Sequence, residues 1–200
     1  MRLLTLVSRN LLRRRTRSAL TVIGAAVAIG TVVALVGISS SLQRAFRSVY
    51  EDRGVDLVVI QAGSSQGLNS AIDESVGDQI AALSGVVEVS PGLIDVVAYE
   101  DAGLYSVLVH GWRTDGDMMR DFRLVDGRLL EAGDSTQVIV GIVLARNLDL
   151  QVGDTLDVVE AEPFEVVGIY ESFNVYENGG MVVPLEELQR IMGWDEQVTG

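Results

Sequence analysis

Three places in the chain carry side chains of the kinds that do chemistry. Asp115, Asp117 and Asp121 surround Gly116, and closely spaced oxygen ligands are what a calcium ion takes. The closing glutamate of a full calcium loop is missing, so the spacing reads as a solvated acidic turn. His110, the single histidine, ends a predicted strand in His110-Gly111-Trp112. With no serine or cysteine motif beside it, it reads as a turn residue rather than a general base. Asn178-Gly179-Gly180 has the composition of a hairpin turn, and no helix N-terminus follows at once to make it a phosphate cradle. No Walker-type loop is present, so ATP is not bound by that route. The sequence therefore predicts no catalytic, cofactor-binding or metal-ligating residues, and a chain that is not an enzyme.

Composition narrows the setting in which any such groups would act. There is no cysteine, which excludes disulfides and thiolate metal sites and leaves packing alone to hold the fold. A hydrophobic content of 48% is ample for a core. The net charge of −13 is unevenly spread. Residues 1–50 hold eight arginines and no acid; residues 51–200 hold seven arginines against all 28 acids, a formal charge of −21. A step of that size marks two different environments. The acidic part repels phosphate backbones, so no nucleic-acid partner is expected. Lysine is absent, and both a high-salt habitat and an arginine-favouring, GC-rich genome account for that.

Between Arg17 and Arg44 lie 26 residues without a charge, of which Ala19–Ile38 is a continuous run of Ala, Val, Ile, Leu, Gly and Thr. At about 1.5 Å per residue that run spans roughly 30 Å, the thickness of bilayer hydrocarbon. It reads as a transmembrane helix over residues 18–43. Arg13-Arg14-Arg15-Thr16-Arg17 precedes it and outweighs Arg44 and Arg47, which predicts an inside N-terminus. A cleaved signal peptide is the competing reading, weakened by the length of the run and by the loose site at Ile38-Ser39-Ser40-Ser41. Small residues four apart (Gly24/Ala28, Gly30/Ala34) suit close helix packing and are equally what membrane helices commonly contain. Residues 1–17, where Leu3, Leu4, Leu6, Val7, Leu11 and Leu12 interleave with arginines, read as a cytoplasmic amphipathic segment resting on membrane lipid.

Residues 44–200 then form an extracytoplasmic α+β core domain. Its α/β part, about 54–100, starts with a strand at Asp56–Ile60. A helix follows, capped by Ser70, carrying Ile72, Val76, Ile80 and Leu83 on one face, and ended by Gly85. Strands at Val86–Val89 and Ile94–Tyr99 complete it. An inserted β-rich part, about 101–183, carries strands at Leu104–Val109, Gln137–Val140, Thr155–Val159, Phe164–Tyr170 and Met181–Val183, with a helix near Gly141–Leu148. A last helix, 184–193, begins at Pro184, has Glu186 and Glu187 in its first turn and has Gly193 at its end.

Three segments in this order carry a family resemblance. Arg9-Asn10-Leu11-Leu12-Arg13-Arg14-Arg15 before an apolar span is one. Val138-Ile139-Val140-Gly141-Ile142-Val143-Leu144-Ala145 running to Gly153-Asp154-Thr155-Leu156 is the second. Phe164-Glu165-Val166-Val167-Gly168-Ile169 followed by Val183-Pro184-Leu185 is the third, and Asp126-Gly127-Arg128 before Gly133-Asp134 also fits. Together they resemble the macrolide-exporter and lipoprotein-release type ABC transporter permeases, related to the cell-division permeases.

That resemblance implies a homo- or heterodimeric permease in the cell membrane, worked by a separate cytoplasmic ABC ATPase, with its large outer domain between the first and second of four spans. Here Gly200 is reached with one span, so the chain reads as a fragment or a split subunit. The leading expectation is a coupling component of such a machine. A free-standing, membrane-anchored binding or adhesion domain is the alternative.

Overall fold

The computed structural model describes residues 15–51, 55–63, 70–158 and 163–200. They divide into two units, residues 1–54 and 55–200. The basic segment 1–14 lies outside the described residues.

The first unit is a helix, α1 (Arg15–Glu51). Its stretch Ala19–Ser41 has a mean hydropathy of 2.5, long and apolar enough to cross a membrane. Leu20, Val27, Ile29, Val33 and Ile38 are all more than half exposed, as expected for a helix with no polar face. Its hydroxyls turn back onto its own carbonyls: Thr21 Oγ1 donates to Arg17 O at 3.0 Å, Thr31 to Val27 O at 2.9 Å and Ser40 to Gly37 O at 3.0 Å. Donors satisfied in this way can sit in hydrocarbon without an outside partner.

The second unit is built on one mixed sheet. In chain order its elements are β1 (Ile72–Asp73), α2 (Ser75–Ala81), β2 (Gly92–Tyr99), β3 (Leu104–Trp112), β4 (Arg123–Gly127), β5 (Gln137–Gly141) and α3 (Ile142–Leu148). After these come β6 (Thr155–Asp157), β7 (Pro163–Glu171), α4 (Val175–Asn178), β8 (Met181–Pro184), α5 (Leu185–Met192) and β9 (Gln197–Val198). The main sheet runs β2-β3-β8-β5-β7-β4, with β6 beside β4 on the far edge of β7; β1 and β9 form a separate antiparallel pair. The β3/β8 and β5/β7 pairs are parallel, and β2/β3, β8/β5 and β7/β4 are antiparallel.

Alternation along the central strands feeds two cores. Val138, Val140, Val166, Met181 and Val183 pack on one face with Leu144 of α3 and Leu185 and Leu188 of α5. Ile139, Val167 and Val182, their alternates, pack on the other with Met119, Phe122 and Leu130 from the β3–β4 and β4–β5 connections. Because both faces are covered, β5 and β8 read as continuous apolar runs rather than as alternating ones.

The predicted strands at 94–99, 104–109, 137–140, 164–170 and 181–183 are present, as are the helices after Gly141 and before Gly193. Residues 56–60 and 86–89 are not strands. Leu57, Val58, Val59 and Ile60 are exposed, and residues 58–60 lie beside Gly200, whose backbone bonds to Gly92 of β2. The helix expected from Ser70 begins only at Ser75, because Ile72 pairs with Val198 instead. Asp73 does the capping: its Oδ1 accepts from the Ser75 N–H at 2.9 Å and from the Ser75 hydroxyl, and these bonds hold its carboxyl below the usual range. Pro184 closes β8 and stands at the N-cap of α5 rather than at its first turn. Val159 lies outside the described residues.

Candidate functional site

The acidic turn sits in the connection from β3 to β4. Arg113 grips Asp115 at two points, Nε to Oδ1 at 3.1 Å and Nη2 to Oδ2 at 3.2 Å, and Arg120 Nη1 donates to Asp117 Oδ2 at 2.8 Å. The Arg113 bonds hold the Asp115 carboxyl low, with the guanidinium charge adding to them. Two of the three aspartates thus face arginines from the same turn. Among the described residues, no group of three or more His, Asp and Glu stands close enough to hold a metal ion.

His110 is inside β3, not in a turn. It is 8% exposed, and its ring lies 5.0 Å from that of Trp112. Trp112 continues to Phe122 at 5.8 Å, and Phe122 stacks on Tyr170 at 3.9 Å. The histidine therefore heads a row of rings on one face of the sheet, a packing position.

Asn178-Gly179-Gly180 does not turn a hairpin, because β5 lies between β7 and β8. The segment ends the short helix α4 in a crossover. Its asparagine is bonded both ways to Ser172: the Ser172 N–H donates to Asn178 Oδ1 at 2.8 Å, and Asn178 Nδ2 donates to Ser172 O at 2.8 Å. The Ser172 hydroxyl donates to the buried carboxylate of Glu177, and Tyr170 Oη donates to Glu177 O at 2.8 Å. Asn174 caps α4 through Oδ1, which accepts from Tyr176 N at 2.9 Å. This knot holds a tip on which Phe173 and Val175 are half-exposed or more. Sequence reading passed over it; Asn174 ahead of a short polar helix was its one signal.

Gly141, which ends the β5 motif, is a close-approach position. A Cβ there would stand 2.4 Å from Glu177 O and from Asn178 O. Gly168 in β7 is tighter still, with Arg128 O at 2.0 Å from the same notional atom. The chain crosses β7 there because Arg128 N donates to Val167 O at 2.9 Å. Gly127 precedes it with φ +73, a left-handed conformation that L side chains rarely adopt. Arg128 then closes the turn on Asp134, Nη1 to Oδ2 at 2.7 Å and Nη2 to Oδ1 at 2.9 Å. Asp134 Oδ2 also accepts from Glu131 N at 2.8 Å. Arg128 holds the Asp134 carboxyl below its ordinary range, and the Glu131 amide adds to the effect.

A surface hollow of about 620 Å³ opens beside the end of β2, lined by Tyr99, Glu100, Asp101, Leu148 and Asp157 among others. Tyr99 Oη donates to Asp157 O there at 2.6 Å. Burial, and then the negative charge of Asp157, push the tyrosine above the ordinary tyrosine range. The charged groups described here brace turns and strand ends. The arrangement is that of an acidic sheet domain whose turns are pinned by arginine–aspartate pairs.

Comparison with known proteins bears on what such a domain belongs to. Curated protein sequences give no match. Among solved structures, the extracellular domain of the noncanonic ABC-type transporter YknZ from Gram-positive bacteria superposes with a TM-score of 0.51 at 16% identity. That match covers 64% of this chain and 70% of the other, a likeness of fold. The periplasmic region of MacB from Actinobacillus actinomycetemcomitans aligns at 15% identity with a TM-score of 0.49 over 64% of this chain, which spans 61% of that region. The model of one family, the MacB-like periplasmic core domain, matches residues 18–199. The match takes in the apolar helix and the whole sheet, and the chain belongs to the MacB-like periplasmic core domain family.

Proposed function

We propose that the chain is the anchor and outer domain of an ABC transporter permease, coupling ATP hydrolysis by a separate cytoplasmic ATPase to work outside the membrane. In this reading residues 1–17 lie on the cytoplasmic face, 18–43 cross the bilayer, and 44–200 form the extracytoplasmic core. The working unit is a homo- or heterodimer of permeases. The chain itself is not a catalyst, and its engaged acids and arginines serve stiffness. One observation carries the reading: a single family match runs from Ser18 to Thr199, through both the apolar helix and the sheet domain. The charge step supports the orientation, since eight arginines precede residue 51 and all 28 acids follow residue 50.

The test is coupling. Arg9 and Arg13 are replaced by glutamine, leaving Arg14, Arg15 and Arg17 to keep the orientation, and the permease containing this chain is reconstituted with its ATPase. Each arginine near an anionic lipid surface contributes about 1 kcal/mol. Weakened ATPase association or weakened stimulation of turnover is expected, with outer-domain folding unchanged. A permease that neither recruits nor stimulates any ATPase, with or without the substitutions, would instead be an anchored binding domain.

A further inference from the structure

Residues 70–91 differ from the rest of the second unit in how they are held. Of these residues only Ser70 is buried, whereas the two cores are built almost wholly from residues 93–198. Helix α2 contributes no buried side chain; its strongest element contact is with β1, and Gly77 lies against Val89, both within the same stretch. The stretch is held to the rest of the unit at few places: Ser70 Oγ accepts from Gln61 N at 2.8 Å, residues 88–91 share a hollow with Arg113, Asp115, Gly116 and Met118, and a small clip holds its start. Ile72 and Asp73 pair with Val198 and Gln197, and Glu74 N donates to Glu196 O at 2.8 Å. A single side chain bolts the clip. Gln189 of α5, 7% exposed, donates through Nε2 to Gln197 O of β9 at 3.0 Å and to Oε2 of Glu74, the residue just after β1, at 3.3 Å. Beneath it, Ile72 and Val198 are the apolar pair that touches the core. At the far end the stretch joins β2 at Gly92, where Thr199 and Gly200 are also bonded.

We propose that residues 70–91 are a strap that opens and closes as one piece against a fixed sheet, with β1–β9 as its clasp and Gln189 as the bolt. Regions with few buried apolar contacts open at a small fraction of the global unfolding free energy. The clasp is only two residue pairs long, and its buried anchor is a neutral amide that forms and breaks its bonds without moving a charge. Along the chain, β1 comes before every strand of the main sheet and after α1. The strap is a property of the fold and holds whether or not the chain works with an ATPase.

Hydrogen exchange on the full chain in detergent micelles tests this, read at the amides of Glu74, Gly77 and Ala82 against those of β5 and β7. In the unmodified chain the three strap amides are expected to exchange together and at least about tenfold faster than the sheet. Gln189→Met keeps the volume and removes the donor, and should speed all three by about fivefold, leaving β5 and β7 as they were. A second variant does not depend on that substitution folding well. Asp73→Cys with Gln197→Cys places thiols at opposed strand positions in a chain with no cysteine of its own, within the span a disulfide bridges. Oxidation should slow all three amides toward sheet rates, Ala82 included although its bond is local to α2, and reduction should reverse it. Strap and sheet amides exchanging alike in the unmodified chain would overturn the proposal. So would an oxidised pair that leaves Ala82 unchanged, or a pair that does not oxidise.

Discussion

Arg128 and Asp134 meet through two parallel hydrogen bonds, 2.7 and 2.9 Å long, and so close the connection that carries the chain from the edge strand β4 into β5. Only the planar guanidinium makes both bonds at once. Arg128→Lys should cost about 1 kcal/mol in chemical denaturation, since the pair is part-exposed on the arginine side and one bond survives. The Asp134 carboxyl titrates lower in the folded chain than in the unfolded one. Its contribution is therefore fully present above the unfolded carboxylate value, about 3.9, and is lost as pH falls through the depressed folded value. Asp134→Asn should reduce stability at neutral pH and flatten the acid limb. An acid transition as steep as in the unmodified chain would exclude Asp134 as its source.

Gly168 and Gly141 are predicted to tolerate no side chain, although neither has a positive φ. At each the obstacle is backbone: Arg128 O for the first, Glu177 O and Asn178 O for the second. Alanine at either position should destabilise by about 3 kcal/mol or more, since no rotamer change relieves the clash. Gly179, whose notional Cβ has its nearest neighbour at 3.6 Å, is the control and should accept alanine with little change. Thermal denaturation of the three variants side by side distinguishes them.

Tyr99 should make the domain sensitive to alkali. Its folded value is raised above the unfolded one by burial and by Asp157, so above about pH 10 the unfolded chain releases a proton that the folded chain keeps. Stability accordingly falls as pH rises past that point. Tyr99→Phe should lose about 1 kcal/mol near neutrality with the Asp157 bond and gain a flatter alkaline limb. An ultraviolet titration in which every tyrosine ionises together in the folded chain would contradict this.

Topology is the prediction that concerns the first unit. A reporter fused after Val49 should lie outside the cytoplasm, and protease added to intact spheroplasts should digest the chain beyond residue 50. Full protection of that part would reverse the orientation.

How much of this is legible in the residues alone differs from element to element. The apolar helix needs only its own composition, because a run of 26 uncharged residues satisfies its backbone internally and asks nothing of the rest of the chain. The central strands β3, β5, β7 and β8 and the helices α3 and α5 were also readable. Their signals are local: apolar runs long enough to be covered on both faces, and Gly193 in the left-handed conformation at the end of α5. The permease-type motifs belong to this class too, since they are short and in order.

Pairing was not readable, and it decided the rest. Asp56–Ile60 has the residues of a strand, but it pairs with none of the described strands and its apolar side chains stay exposed. Ile72 has the spacing of a helix face and serves as a strand, because Val198 offers it a partner and buried surface. Gly168 looks like a weak point in β7 until Arg128 is seen crossing it. Periodicity and capping sum over neighbouring residues. Which distant segment wins a sheet edge is settled by competition for burial and for backbone partners, and that competition exists only once the chain has come together.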